Sequence, residues 1–161
     1  EAFFYEDEHQ LICAEDAVAP YRIRVAREGD ARPVSRVHVA CWQEAYAGII
    51  PDSYLASLTT DRREAMWSGL IQQMKQGKSA NRLLVAEAPD GELIGFACAG
   101  PARDAVETFD SEVSAIYLKK AHHGEGVGSA LMREQMRWLS AQGKSRMMLW
   151  VLESNPTRSF Y

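Results

Sequence analysis

The sequence predicts an α/β or α+β domain, a sheet covered by helices. Three features carry that prediction. Two β-rich runs, 82–88 and 92–99, are joined by the turn Pro89-Asp90-Gly91; an amphipathic helix pattern spans 30–46; and a third β-rich run, 112–118, passes through a glycine-rich stretch into another helix. A hairpin mixed with helix-linked strands is the pattern of such a sheet. At 161 residues, 47% of them apolar and 25% charged, the chain has room for one complete core.

Residues 1–20 set Phe3, Phe4 and Tyr5 beside Glu6, Asp7 and Glu8, end at Pro20, and read as an N-terminal extension. The single domain, 21–161, opens with a strand over 21–26 in which Tyr21, Ile23 and Val25 alternate with Arg22 and Arg24. Gly29-Asp30 offers a cap to the helix over 30–46, whose Val34, Val37, His38, Cys41, Trp42 and Ala45 recur at three- and four-residue spacing. An apolar loop, Gly48 to Pro51, leads to a second helix after Thr59-Thr60-Asp61. There Asp61 and Glu64 have capping-box spacing, Ala65, Met66, Leu70, Ile71 and Met74 form the face, and Gly77 ends the helix. After the hairpin and the 112–118 run, a helix over 127–141 is closed by Gly143. Residues 146–152 form a continuous apolar run of the kind buried on both faces, and a last helix is expected to begin near Asn155.

Composition narrows the function classes. Eighteen Lys and Arg scattered among 22 Asp and Glu give a net charge of -4 and no basic stripe, which disfavours nucleic acid as a partner. Cys13, Cys41 and Cys98 are odd in number and lack a CxxC, so neither a disulfide framework nor a zinc knuckle is signalled; Cys41 and Cys98 read as small buried apolar residues. No apolar run nears the ~18 residues of a membrane span, and no signal-peptide pattern opens the chain. The expectation is a cytoplasmic protein with no membrane partner.

The strongest chemical feature is the stretch from Leu118 to Ser129, a strand leading through Gly124, Gly126 and Gly128 into a helix. Glycines there let backbone N–H groups point into one concavity, and a helix N-terminus adds partial positive charge, so the loop suits phosphate oxygens. A Walker A loop would need Lys-Ser/Thr after its last glycine, where Ser129-Ala130 stands, and a Rossmann fingerprint would need wider spacing close to the first strand.

What fits is the GNAT superfamily of acetyl-CoA-dependent N-acetyltransferases, whose Arg/Gln-x-x-Gly-x-Gly/Ala loop resembles His123 to Gly128. Gly126 and Gly128 take the glycine positions, and His123 stands where Arg or Gln is usual. Arg36 to Trp42, with Tyr46 and Ile49-Ile50-Pro51, resembles the first-helix segment of one bacterial branch, and Leu93 to Ala97 its central hairpin strand. Leu149 to Tyr161 resembles the segment in which a strand is followed by Asn-x-x-Arg/Ala-x-Phe-Tyr. These matches cover 21–161 in order. They imply a GNAT-type mixed, mostly antiparallel twisted sheet flanked by helices, its C-terminal part, the rest of a helix and a further strand, lying past Tyr161. An open edge at 146–152 leaves room for a homodimer.

The resemblance also implies acetyl-CoA as cosubstrate and no metal; His122 and His123 have no partners at metal-ligand spacing. His123, Gly124, Glu125, Gly126, Val127, Gly128 and Ser129, with Asn155, become the cosubstrate-binding set. An amine with a pKa near ~10 must lose a proton before it attacks a thioester. Glu112 stands where the family carries an acidic residue for that purpose, with Glu107 and Asp110 as close competitors. Tyr161 matches the family's general acid, which protonates the departing thiolate. The oxyanion donor falls to the backbone of Ile116, Tyr117 or Leu118. Trp42 and Tyr46, four apart on one helical face, border the acceptor pocket, and loops at 46–58 and 100–111 set specificity. The implied activity is transfer of the acetyl group of acetyl-CoA to a primary amine of a small molecule, by direct attack in a ternary complex. A protein Lys or N-terminus is less favoured. A non-catalytic acyl-CoA sensor or structural module is the alternative, and having both Glu112 and Tyr161 favours the enzyme over it. A tRNA-modifying toxin of the same fold conflicts with the acidic balance.

Overall fold

The computed structural model describes residues 20–103, 108–155 and 157–161; the extension expected over 1–20 lies, Pro20 apart, outside them. Its elements run β1 (Arg22–Val25), α1 (Ala31–Tyr46), α2 (Asp52–Ser57), α3 (Thr60–Lys75), β2 (Arg82–Glu87), β3 (Leu93–Pro101), β4 (Ser111–Leu118), α4 (Val127–Ala141) and β5 (Met147–Met148). Single 3-10 turns sit at Lys120–His122 and Arg158–Phe160. The strands form one sheet in the order β1-β2-β3-β4-β5, antiparallel throughout except for the parallel β4–β5 pair.

Side-chain alternation along β2 and β3 gives the sheet two apolar faces. Leu83, Val85, Phe96 and Cys98 meet Val34, Val37 and Cys41 of α1 and Trp67 and Ile71 of α3. Leu84, Ala86, Ile94 and Ala97 meet Val127 and Leu131 of α4 on the opposite face. The carboxamide of Gln135, fully buried on α4, donates to the carbonyls of Arg82 and Ala97 and accepts from Arg82 Nε, which fixes the helix against the hairpin. The C-termini of α3 and α4 close as Schellman motifs, Gly143 N and Lys144 N donating to Ser140 and Leu139 in α4, Gly77 N and Lys78 N to Met74 and Gln73 in α3.

Several expectations fail for identifiable reasons. The short helix α2 falls in the stretch read as loop. Asp61 and Glu64 form no capping box, because both carboxylates accept from Arg32 on α1 and Thr59 is the N-cap, without a side-chain bond. In β1, Arg24 rather than Val25 is the screened residue: its guanidinium bridges Asp30 and Glu87, while Val25 is half exposed. The apolar run 146–152 is strand only at Met147 and Met148, with an isolated bridge at Trp150, and the helix expected near Asn155 is a single 3-10 turn.

Candidate active site

The sheet opens where β4 and β5 part. They pair at Ser111–Met147 and Glu112–Met148 and no further. On its other edge β4 stays on β3 but carries an irregularity opposite Cys98 and Ala99, leaving Ser114 unmatched; such a bulge bends its strand. Between the diverging chains lies a cavity of about 730 Å³, with Val113 to Leu118 on one wall and Leu149 to Val151 on the other. Past Met148 the apolar run makes one isolated bridge, at Trp150, and lines the cavity instead of continuing as a strand. Lys119 N donates to the Ile94 carbonyl, so ladder alternation turns the N–H groups of Ile116 and Leu118 away from β3 and toward the gap, and that of Tyr117 toward β3.

At one end of the cavity stands the glycine loop. Gly124 and Gly126 have φ of 82° and 79°, left-handed values that set up the entry into α4. The first intrahelical bond is Ala130 N to Gly126 O, so the amides of Val127, Gly128 and Ser129, which line the cavity, have no partner within the helix. His123 also lines it and donates from Nε2 to the Leu118 carbonyl at 3.0 Å, tying the loop back to β4. Lys120 adds a cation to the same wall. Glu125 does not reach the cavity; its carboxylate meets His122 Nδ1 at 3.0 Å. A Cβ at Gly128 would lie 3.1 Å from the Phe160 ring, so this glycine lets the C-terminal turn settle on the helix.

That turn delivers Tyr161. Its phenol is pushed up to about 12 by burial, with the nearby Tyr46 adding to the effect, and therefore stays protonated at neutral pH. Asn155 shapes the approach: Oδ1 accepts from Thr157 N and Oγ1, and Nδ2 donates to the Tyr46 hydroxyl at 3.2 Å. Tyr46, Asn155, Tyr117 and Tyr161 all border the cavity. Trp42 stands one layer behind, donating from Nε1 to the Tyr117 hydroxyl at 2.9 Å with its ring centre 4.9 Å from that of Tyr46. Behind Tyr117, His38 stacks at 4.9 Å and accepts from Trp67 Nε1.

Glu112 is placed differently from a solvated strand-end carboxylate. It is 1% exposed, does not line the cavity, and accepts from Arg103 Nη2 at 2.5 Å, Nε at 3.0 Å and the backbone N at 3.2 Å. Burial alone would raise its pKa, but these bonds and the guanidinium charge outweigh it and hold the carboxyl below its ordinary value. Asp110 accepts from the amides of Ser145 and Arg146 and so anchors the start of β5, while Glu107 lies outside the described residues.

The structure thus gathers the backbone candidates on β4, most of the glycine loop, Tyr46, Asn155 and Tyr161 around one cavity, and leaves Glu112, Glu125 and Trp42 outside its lining. Sequence reasoning missed Glu44, Lys120, Ser114, Trp150 and Phe160, which also line it. In the sequence Leu149, Trp150 and Val151 belong to a continuous apolar run, a pattern that does not separate a buried strand from a cavity wall. Among the described residues no three His, Cys, Asp or Glu gather as a metal site, and no helix is long and apolar enough to cross a membrane.

Residues 38–161 match the model of the Acetyltransferase (GNAT) family. The chain is 35% identical over 139 residues to the uncharacterized N-acetyltransferase YuaI of Bacillus subtilis (strain 168), spanning 86% of this chain and 76% of that protein. It is 28% identical over 141 residues to the probable N-acetyltransferase Rv2775 of Mycobacterium tuberculosis (strain ATCC 25618 / H37Rv), spanning 87% and 76%. Among solved structures it resembles the PaiA N-acetyltransferase of Thermoplasma acidophilum in complex with coenzyme A, with a TM-score of 0.72 and 25% identity over 88% of this chain and 86% of that one. A strand pair that parts beside a glycine loop, in a chain whose residues from 38 onward match the family throughout, places this protein in the GNAT acetyltransferase family.

Proposed function

We propose that this acetyltransferase moves the acetyl group of acetyl-CoA to a primary amine of a small molecule, by direct attack in a ternary complex. The cavity between β4 and β5, with a helix N-terminus at one end and a protonated phenol on its wall, carries the reading. The residues present fit acetyl-CoA: the unpartnered amides at 127–129, in the positive field of α4, suit pyrophosphate oxygens, with Lys120 and His123 beside them. The cosubstrate supplies an acyl group activated as a thioester. Backbone N–H groups of Ile116 and Leu118, facing the gap, serve as oxyanion donors. Tyr161 gives its proton to the leaving sulfur. Glu112, held ionised by Arg103 behind the cavity wall, takes the amine proton only through bridging water. The net charge of -4 favours a small molecule over nucleic acid as the acceptor.

The test is calorimetric titration with acetyl-CoA, followed by thiol release over an amine panel, with Tyr161→Phe and Glu112→Gln alongside. Binding with release that falls in Tyr161→Phe supports the transferase. The position of Glu112 outside the cavity favours, as second reading, an acyl-CoA sensor, which predicts binding with no release; no binding overturns both.

A further inference from the structure

Building on the acetyltransferase reading, we propose that the acceptor amine carries a carboxylate and that Arg63 is the residue that selects it. Arg63 lies in the first turn of α3, half-buried, with its guanidinium carbon 5.8 Å from the centre of the Trp42 ring. Among the described residues no Asp or Glu forms an ion pair with it, because its neighbours Asp61 and Glu64 are both taken by Arg32. A guanidinium drawn partly out of water with no counter-ion is a site for one, and its planar fork matches a carboxylate through two parallel hydrogen bonds.

The position connects this cation to the chemistry. Trp42 bonds to the hydroxyl of Tyr117 and packs on Tyr46, and both tyrosines line the cavity, so one aromatic ring separates Arg63 from the wall where transfer takes place. Its field reaches inward: the charge of Arg63 works against burial at Tyr117, where burial raises the pKa, and with burial at His38, where both lower it. The Trp42 face between offers an apolar bed for the methylenes that join an amine to its acid group. Glu44, the carboxylate on the cavity lining, faces the other way, accepting from Lys120 N on the glycine-loop side. An acceptor lying from Tyr161 toward Trp42 therefore meets positive charge at its far end.

The test is thiol release from acetyl-CoA with amino acids from glycine to 6-aminohexanoate, each paired with its carboxamide, using wild type, Arg63→Lys and Arg63→Gln. In wild type the best acid exceeds its carboxamide in kcat/KM by about 10- to 100-fold, the worth of a charge-assisted hydrogen bond. Arg63→Gln brings that ratio to about one, and Arg63→Lys, which keeps the charge and loses the fork, falls between. Carboxamides used as well as acids by wild type, or a ratio that persists in Arg63→Gln, overturns the inference while the transferase stands. Release from other amines of the panel but from no member of this series overturns the inference alone, and release from no amine at all overturns both.

Discussion

His38 makes the stability of this fold depend on pH in a way that can be worked through. Its ring is 5% exposed, stacked on Tyr117, beside Phe96, and accepting from Trp67 Nε1. Burial, with the charge of Arg63 adding to it, takes its pKa from the ordinary 6.5 to about 4. The folded pKa lies below the unfolded one, so between these values the unfolded chain binds the proton and the native chain does not. The stabilisation is complete above pH 6.5 and is lost as pH falls through the folded value. At about 1.4 kcal/mol per tenfold change in proton affinity, the loss on going from pH 7 to pH 4 is about 3 kcal/mol. Urea unfolding of wild type and His38→Gln at half-unit steps from pH 4 to pH 8 measures it. Glutamine keeps an acceptor for Trp67 and does not titrate, so the difference between the two curves isolates the imidazole from the carboxylates. A difference that stays flat across this range would falsify the assignment of His38 as a buried neutral ring.

Three further outcomes follow from the site. Tyr161→Phe lowers kcat by about 10²- to 10⁴-fold, the usual worth of a general acid, and leaves acetyl-CoA affinity by calorimetry within about threefold. Gly126→Ala, which must hold a φ of 79°, costs about 1–2 kcal/mol in urea unfolding and weakens acetyl-CoA binding, because the strain falls on the loop that presents the α4 amides. Arg103→Gln strips the buried Glu112 of its charged partner; stability at pH 7 falls by about 1–3 kcal/mol, and the acid limb of the stability profile moves to higher pH as the carboxyl pKa rises.

How far the sequence could be read depended on whether a residue's partner lay nearby in the chain. The glycine loop, α4 and the glycines that end α3 and α4 were legible because strand-to-helix entry and Schellman closure are local. Asp61 and Glu64 misled because the local capping partner lost to Arg32, 29 and 32 residues away. The stretch 149–152 misled because an apolar run is the same string whether it packs under a helix or faces a cleft; only the partner strand, held elsewhere by its bulge, decides. Glu112 was found as a position, but its environment depends on Arg103 across a loop, which no spacing announces. Arg63 drew no notice at all, since a cation on a helix reads as solvated until the ring beneath it is known.

The bond from Asn155 to the Tyr46 hydroxyl joins residues 109 apart in the chain, and on that closure depends the wall that carries Tyr161. Contacts of such span form only after the intervening sheet has brought both ends within reach, whereas the hairpin of β2 and β3 closes over a few residues. The cleft therefore closes after the hairpin has formed. Amide exchange in 155–161 should report local opening well below the cost of unfolding the sheet, and acetyl-CoA, by gripping both sides, should slow it.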